Sequence, residues 1–156
     1  MLRYQIPGRE EIKICQLVLD YNGTIAFDGQ LIEGVEELII KLANLVKIYI
    51  VTADTYGTVA AQCEHLPVTV KTFPAENAGL EKLKIVESLD SSQTLCIGNG
   101  YNDVEMFEKA ILSIAVIENE GVSSQALMAS DVVTHSIIDA LTLLLNHHRM
   151  RATLRN

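Results

Sequence analysis

Lys13-Ile14-Cys15-Gln16-Leu17-Val18-Leu19-Asp20-Tyr21-Asn22-Gly23-Thr24 is the stretch on which the reading of this chain turns. The nearly continuous apolar run from Lys13 to Leu19 predicts a short strand buried on both faces. It stops at a carboxylate, Asp20, and the glycine three residues on permits close approach of the backbone to a ligand. Upstream, Leu2 to Ile6 is expected to pair with this strand across the Pro7-Gly8 turn. Downstream, Ile25 to Phe27 and Gln30 to Ile32 flank Asp28-Gly29, a dipeptide that signals a tight hairpin.

Farther on, strand and helix patterns alternate. Val35, Leu38, Ile39 and Leu42 have helical spacing and lead into a buried strand from Val46 to Val51. A helix over Thr58 to His65, a strand over Val68 to Thr72 and a helix from about Asn77 to Leu89 follow. The series continues with a strand from Thr94 to Ile97, a helix from Val104 to Lys109, a strand from Ile114 to Ile117 and a helix from Val122 to Ala129. Val132-Val133 and Ile137 to Leu145 close it. Such alternation with short connections predicts an α/β fold, a mostly parallel central sheet with helices on both faces. Ligands of these sheets collect at the carboxyl ends of the strands.

A length of 156 residues with 49% hydrophobic content is the size of one domain, and residues 1–156 are read as such, without repeat or linker. No apolar run reaches the roughly 18 residues of a membrane-spanning helix. The opening residues lack an apolar signal core, so a cytoplasmic location is expected. The formal charge of −8 argues against nucleic acid and membrane surfaces as partners. Cys15, Cys63 and Cys96, odd in number and in apolar surroundings, read as reduced buried thiols. His147, His148, Arg149, Arg151 and Arg155 read as a cationic end to the last helix.

Four positions at strand ends or helix starts carry chemistry. Asp20 can attack phosphorus or hold a divalent cation. Thr52, ending the second strand before Ala53-Asp54, can donate a hydroxyl hydrogen bond to a phosphate oxygen. Lys82, with Lys84 behind it, lies near a helix start. Gly98-Asn99-Gly100-Tyr101-Asn102-Asp103 is a glycine-flanked loop that opens a helix and delivers Asp103. Each has a structural explanation on its own, as turn, strand end, solvated charge or helix cap. Their order along an alternating chain is what points to one site.

From Leu17 to Leu145 the sequence resembles the haloacid dehalogenase superfamily. Asp20, Asn22, Gly23 and Thr24 match its first motif, Asp-Xaa-Asp-Gly-Thr, and Thr52 falls on the second-motif hydroxyl. Lys82 falls on the third-motif lysine, with Lys84 as the other candidate. Gly98, Gly100, Asn102 and Asp103 match the fourth motif, and with Met106 they resemble the phosphorylation domain of P-type pumps. The likeness extends to soluble P-type-ATPase-like phosphatases. It implies a three-layer Rossmannoid fold, with a flap hairpin and no cap domain, because the gaps between motifs leave no room for one. It also implies an aspartyl-phosphate on Asp20, with Tyr21, Thr52, Ala53, Lys82 and Asn102 around the phosphoryl group. Mg²⁺ would be held by Asp20, Asn22, Asn99 and Asp103. A phosphorylated small molecule or a phosphoprotein would be the partner. An uncovered site further implies either a large substrate or a second copy of the chain as its lid.

Two acids of the common pattern are amides here, Asn22 and Asn99. Asn22 stands where the general acid/base is expected, and a carboxamide does not exchange protons near neutral pH. Asn99 removes a negative charge from the metal site, and hard cations prefer carboxylates. The expectation is a slow or leaving-group-selective phosphatase. The competing reading is a phosphate- or phosphoprotein-binding module with a weakened site. A receiver domain does not match the order of residues, and in Gly98-Asn99-Gly100 the third glycine of a dinucleotide fingerprint falls on Asp103.

Overall fold

The computed structural model describes residues 1–54 and 57–155. The chain opens with an antiparallel pair, β1 (Leu2–Tyr4) and β2 (Ile12–Ile14), in which Leu2 faces Ile14. The apolar run that predicts one strand from Lys13 to Leu19 is divided at Cys15, where β2 ends and β3 (Gln16–Asp20) begins. The cause is a change of partner. At Cys15 the amide donates to the Gln93 carbonyl and the carbonyl accepts from the Lys47 amide, both at 2.9 Å, so the chain leaves β1 and enters the main sheet.

β4 (Ala26–Phe27) and β5 (Gln30–Leu31) form the expected hairpin, with Asp28 and Gly29 both at positive φ as a two-residue turn demands. The remaining elements alternate as the sequence predicts: α1 (Val35–Ala43), β6 (Lys47–Thr52), α2 (Thr58–Gln62), β7 (Thr69–Thr72), α3 (Ala78–Ser88) and β8 (Thr94–Gly98). α4 (Val104–Lys109), β9 (Leu112–Val116), α5 (Ser124–Ala129), β10 (Val132–Thr134) and α6 (Ile137–Leu145) continue the series. The described residues form a six-stranded sheet in the order β10-β9-β8-β3-β6-β7, parallel throughout.

Side-chain alternation along β3 divides the core. Leu17 and Leu19 enter a cluster with Ile39 and Leu42 of α1 and Leu141 and Leu144 of α6, whereas Val18 joins Val86 of α3, Phe107 of α4 and Ala126 of α5 on the opposite face. A strand covered on both sides must be apolar at successive positions, and Leu17, Val18 and Leu19 are all fully buried. The chain winds from β3 to β6 and β7 on one side, then crosses to β8, β9 and β10 on the other. The carboxyl ends of β3 and β8 therefore border the crevice where ligands of such sheets bind. Apart from the β4–β5 hairpin, nothing among the described residues is inserted over these ends, so there is no cap domain.

The tail differs from expectation. It is not the cationic end of α6 but a separate helix, α7 (His147–Leu154). Asn146 breaks the two apart at φ −114°, ψ 88°, and its side-chain oxygen accepts the Arg149 amide as an N-cap. Met150 and Leu154, one turn apart, are buried in the core that β1 also enters, and His147 Nδ1 lies 2.9 Å from the Arg3 carbonyl. Of the cysteines, Cys63 and Cys96 are buried and free, while Cys15 is half-buried and bonded to Gln93.

Candidate functional site

Three strand ends converge. Asp20 is the last residue of β3, Thr52 the last of β6 and Gly98 the last of β8, and Asp20 and Val51 are in register. α3 brings Lys82 across from its first turns, and the 3-10 turn Tyr101–Asp103 returns Asp103 under it. The resulting contact is close. Lys82 Nζ donates to Asp20 Oδ1 at 2.7 Å, to Asp103 Oδ1 at 2.5 Å and to Asn102 Oδ1 at 3.2 Å, while its side chain is 2% exposed. Of the two candidate lysines, Lys82 is the one brought to Asp20, whereas Lys84 is exposed and paired with Glu81.

A buried ammonium needs this arrangement. All three of its protons find oxygen acceptors, which is the condition for burying such a group at tolerable cost. Burial alone would push Lys82 down, but Asp20 and Asp103 together outweigh it and hold the ammonium above its ordinary pKa. Asp20 is raised as well, which for a carboxyl group favours the neutral form. Burial, and then the neighbouring Asp103, raise its pKa to about 6 against the pull of Lys82 and Thr24. Its second oxygen accepts the Thr24 hydroxyl at 3.0 Å, and that hydroxyl also lies 3.3 Å from Asn99 Oδ1.

Asp103 is a fully buried anchor. Its Oδ2 accepts the amides of Asn99 (2.9 Å) and Gly100 (2.8 Å), so the fourth-motif loop is wrapped around this carboxylate. Gly98 is required for that wrapping: a Cβ there would lie 2.3 Å from Asp103 Oδ2. With Oδ1 taken by Lys82, both Asp103 oxygens are engaged by the protein.

A cavity of about 290 Å³ opens over these groups, lined by Asp20, Asn22, Thr52, Ala53, Lys82, Asn99, Gly100 and Asn102 together with Phe73 and Glu120. A neighbouring cavity of about 500 Å³ shares Asn22, Thr52 and Ala53 and reaches Gln30, Thr58 and Gln62 under the hairpin. Tyr21 lines the second cavity but not the first. Its side chain is buried, with its hydroxyl 2.6 Å from Gln62 Oε1 and 3.1 Å from the Gly29 carbonyl, so it ties the hairpin to α2. Sequence reasoning missed Phe73 and Glu120. Glu120 lies four residues beyond the carboxyl end of β9, and the strand-end rule points to that loop without choosing between Glu118 and Glu120.

A divalent cation fits the donor set. Mg²⁺ takes one or two carboxylates, keeps several waters and completes its shell with substrate phosphate. The cavity offers the Asp20 carboxylate and the oxygens of Asn22 and Asn99. No group of three or more His, Cys, Asp or Glu closes on one point among the described residues.

Comparison with known proteins gives the family and the fold. The family profile of haloacid dehalogenase-like hydrolases matches residues 2–110. The chain belongs to that family and is a hydrolase of the haloacid dehalogenase type. An uncharacterized protein of Methanocaldococcus jannaschii is 43% identical over 81 residues, which span 49% of this chain and 87% of that protein. A soluble P-type ATPase-like phosphatase of the same organism is 30% identical over 117 residues, 73% of this chain but only 43% of that protein's length. Among solved structures, the 3-deoxy-D-manno-octulosonate 8-phosphate phosphatase of Moraxella catarrhalis, in complex with magnesium, phosphate and its sugar, superposes with a TM-score of 0.65. It is 18% identical and covers 90% of this chain and 92% of that one.

Proposed function

We propose that residues 1–156 form one phosphohydrolase domain that transfers a phosphoryl group through an aspartyl-phosphate on Asp20. The observation that carries this reading is the ammonium of Lys82 set between Asp20 and Asp103 at the floor of a cavity that Thr52 also lines. In the first half-reaction an Asp20 oxygen attacks phosphorus while the bond to the leaving oxygen breaks. Lys82 and the Thr52 hydroxyl face the phosphoryl oxygens as charge develops on them, which is electrostatic positioning rather than bond-making. In the second, water attacks phosphorus, inorganic phosphate departs and the carboxylate is regenerated.

When bound, Mg²⁺ supplies positive charge to the phosphoryl oxygens; Asp20, the Asn22 carbonyl and Asn99 are the groups that would hold it. Asp103, engaged by three protein donors, acts through Lys82 and the loop. Asn22 is exposed at the boundary of the two cavities, where the leaving group would sit. Lacking a transferable proton, it leaves departure to the leaving group's own stability. Slow turnover and a preference for good leaving groups follow. The neighbouring cavity, lined by hydroxyl and amide groups together with Asp54, suits a polar alcohol portion.

A Mg²⁺-dependent phosphatase screen comparing wild type with Asp20→Asn tests the reading. Activity on aryl or acyl phosphates that the variant lacks supports it. Phosphate binding without turnover in either protein would favour the alternative of a binding module that keeps the fold.

A further inference from the structure

Asn99 leaves the metal region one carboxylate short of its family's pattern, and the structure brings another carboxylate to the same place. The loop after β9 is docked on Asn99 itself: Asn99 Nδ2 donates to the Gly121 carbonyl at 3.0 Å and the Ser123 amide donates to the Asn99 carbonyl at 2.8 Å. On its other side the loop is held by Glu118, whose carboxylate accepts the Ile137 amide and whose own amide donates to the His135 carbonyl. Fixed at both edges, the loop aims Glu120 into the cavity. Gly23, at φ +77°, marks how near it comes: a Cβ there would lie 2.5 Å from Asn99 Nδ2 and 2.8 Å from Glu120 Oε2. A glycine at this position leaves the two side chains room to meet above the first-motif loop.

Glu120 also differs from the other acids of the site. Asp20 and Asp103 each bond to Lys82 and to further donors, whereas Glu120 makes no hydrogen bond or ion pair among the described residues. One lysine against two aspartates leaves the buried group with a single negative charge, and Glu120, exposed where it lines the cavity, brings a second. An aspartate at position 99 would produce the same total.

We propose that Glu120 supplies the carboxylate that Asn99 lacks, binding a divalent cation directly or through one of its waters. The inference rests on the metal requirement of the proposed function and adds the residue that restores its charge. Hard cations prefer carboxylate to carboxamide oxygen, so the contribution appears as affinity. It does not depend on turnover.

Calorimetric titration with Mg²⁺, and Mn²⁺ titration followed by electron paramagnetic resonance, test this without substrate. Glu120→Gln is expected to weaken both by tenfold or more at unchanged thermal stability. Asn99→Asp in the Glu120→Gln background is expected to recover most of the loss. Glu108→Gln, which removes an exposed acid elsewhere, should leave affinity unchanged. Equal affinity in wild type and Glu120→Gln overturns the proposal while leaving the metal reading intact, as does an equal loss in Glu108→Gln. Wild type that binds neither cation overturns both.

Discussion

Lys82 Nζ and Asp20 Oδ1 are 2.7 Å apart at the carboxyl edge of the sheet, with the lysine 2% and the aspartate 9% exposed. The same ammonium holds Asp103, so a single positive charge keeps two buried carboxylates in place. The consequences for stability and chemistry can be separated.

Removing the ammonium exposes the cost. Lys82→Met leaves Asp20 and Asp103 facing each other without compensation, a change expected to destabilise by about 3–5 kcal/mol. Lys84→Met, at an exposed residue paired only with Glu81, should stay within about 0.5 kcal/mol and keep wild-type activity. Urea unfolding and a phosphatase assay of the two variants check this. Equal effects would mean that the buried contact does not set the difference.

Asp20 itself is predicted to be a stability liability. Between its ordinary pKa of 3.8 and the folded value of about 6, the native state holds a proton that the unfolded chain has released. Raising pH through that window therefore removes stability, and above about 6 the full cost is present. Asp20→Asn should thus stabilise the metal-free protein at pH 7.5, by on the order of 1–3 kcal/mol, and the gap should narrow as pH falls towards 4. Thermal melts of both proteins in EDTA across this range measure it; a gap that widens at low pH contradicts the assignment.

In the proposed mechanism Asn22 sets the leaving-group preference. Asn22→Asp installs a carboxyl group at the boundary of the two cavities and should raise turnover of alkyl phosphates by up to about 10²–10⁴-fold, with a smaller gain for aryl phosphates. Steady-state rates on one ester of each kind suffice. The same gain on both, or none in a folded variant that binds Mg²⁺, would remove the proposed role.

The strand ends were legible because each closes a short apolar run: Leu17-Val18-Leu19 before Asp20, and Ile48 to Val51 before Thr52. Covalent order alone predicts that such residues share an edge of a parallel sheet. Choosing Lys82 over Lys84 needed packing, since the two differ only in which face of α3 they occupy. Neither the break at Cys15 nor the separate α7 was readable. The first depends on a change of partner, and the second buries only Met150 and Leu154 in a polar segment. Glu120 lay outside every motif, and only folding carries it to Gly23 and Asn99.

Covalent phosphorylation of Asp20 is the step on which the proposed function depends. Incubation with Mg²⁺ and acetyl phosphate, rapid acid quench and peptide mass spectrometry address it directly. A phosphoryl group is expected on the peptide containing Asp20, labile to hydroxylamine, absent in Asp20→Asn and shorter-lived in Asn22→Asp. A wild-type protein that hydrolyses phosphate esters in a Mg²⁺-dependent way, yet shows no adduct on Asp20 at any quench time while Asp20→Asn retains activity, would contradict it.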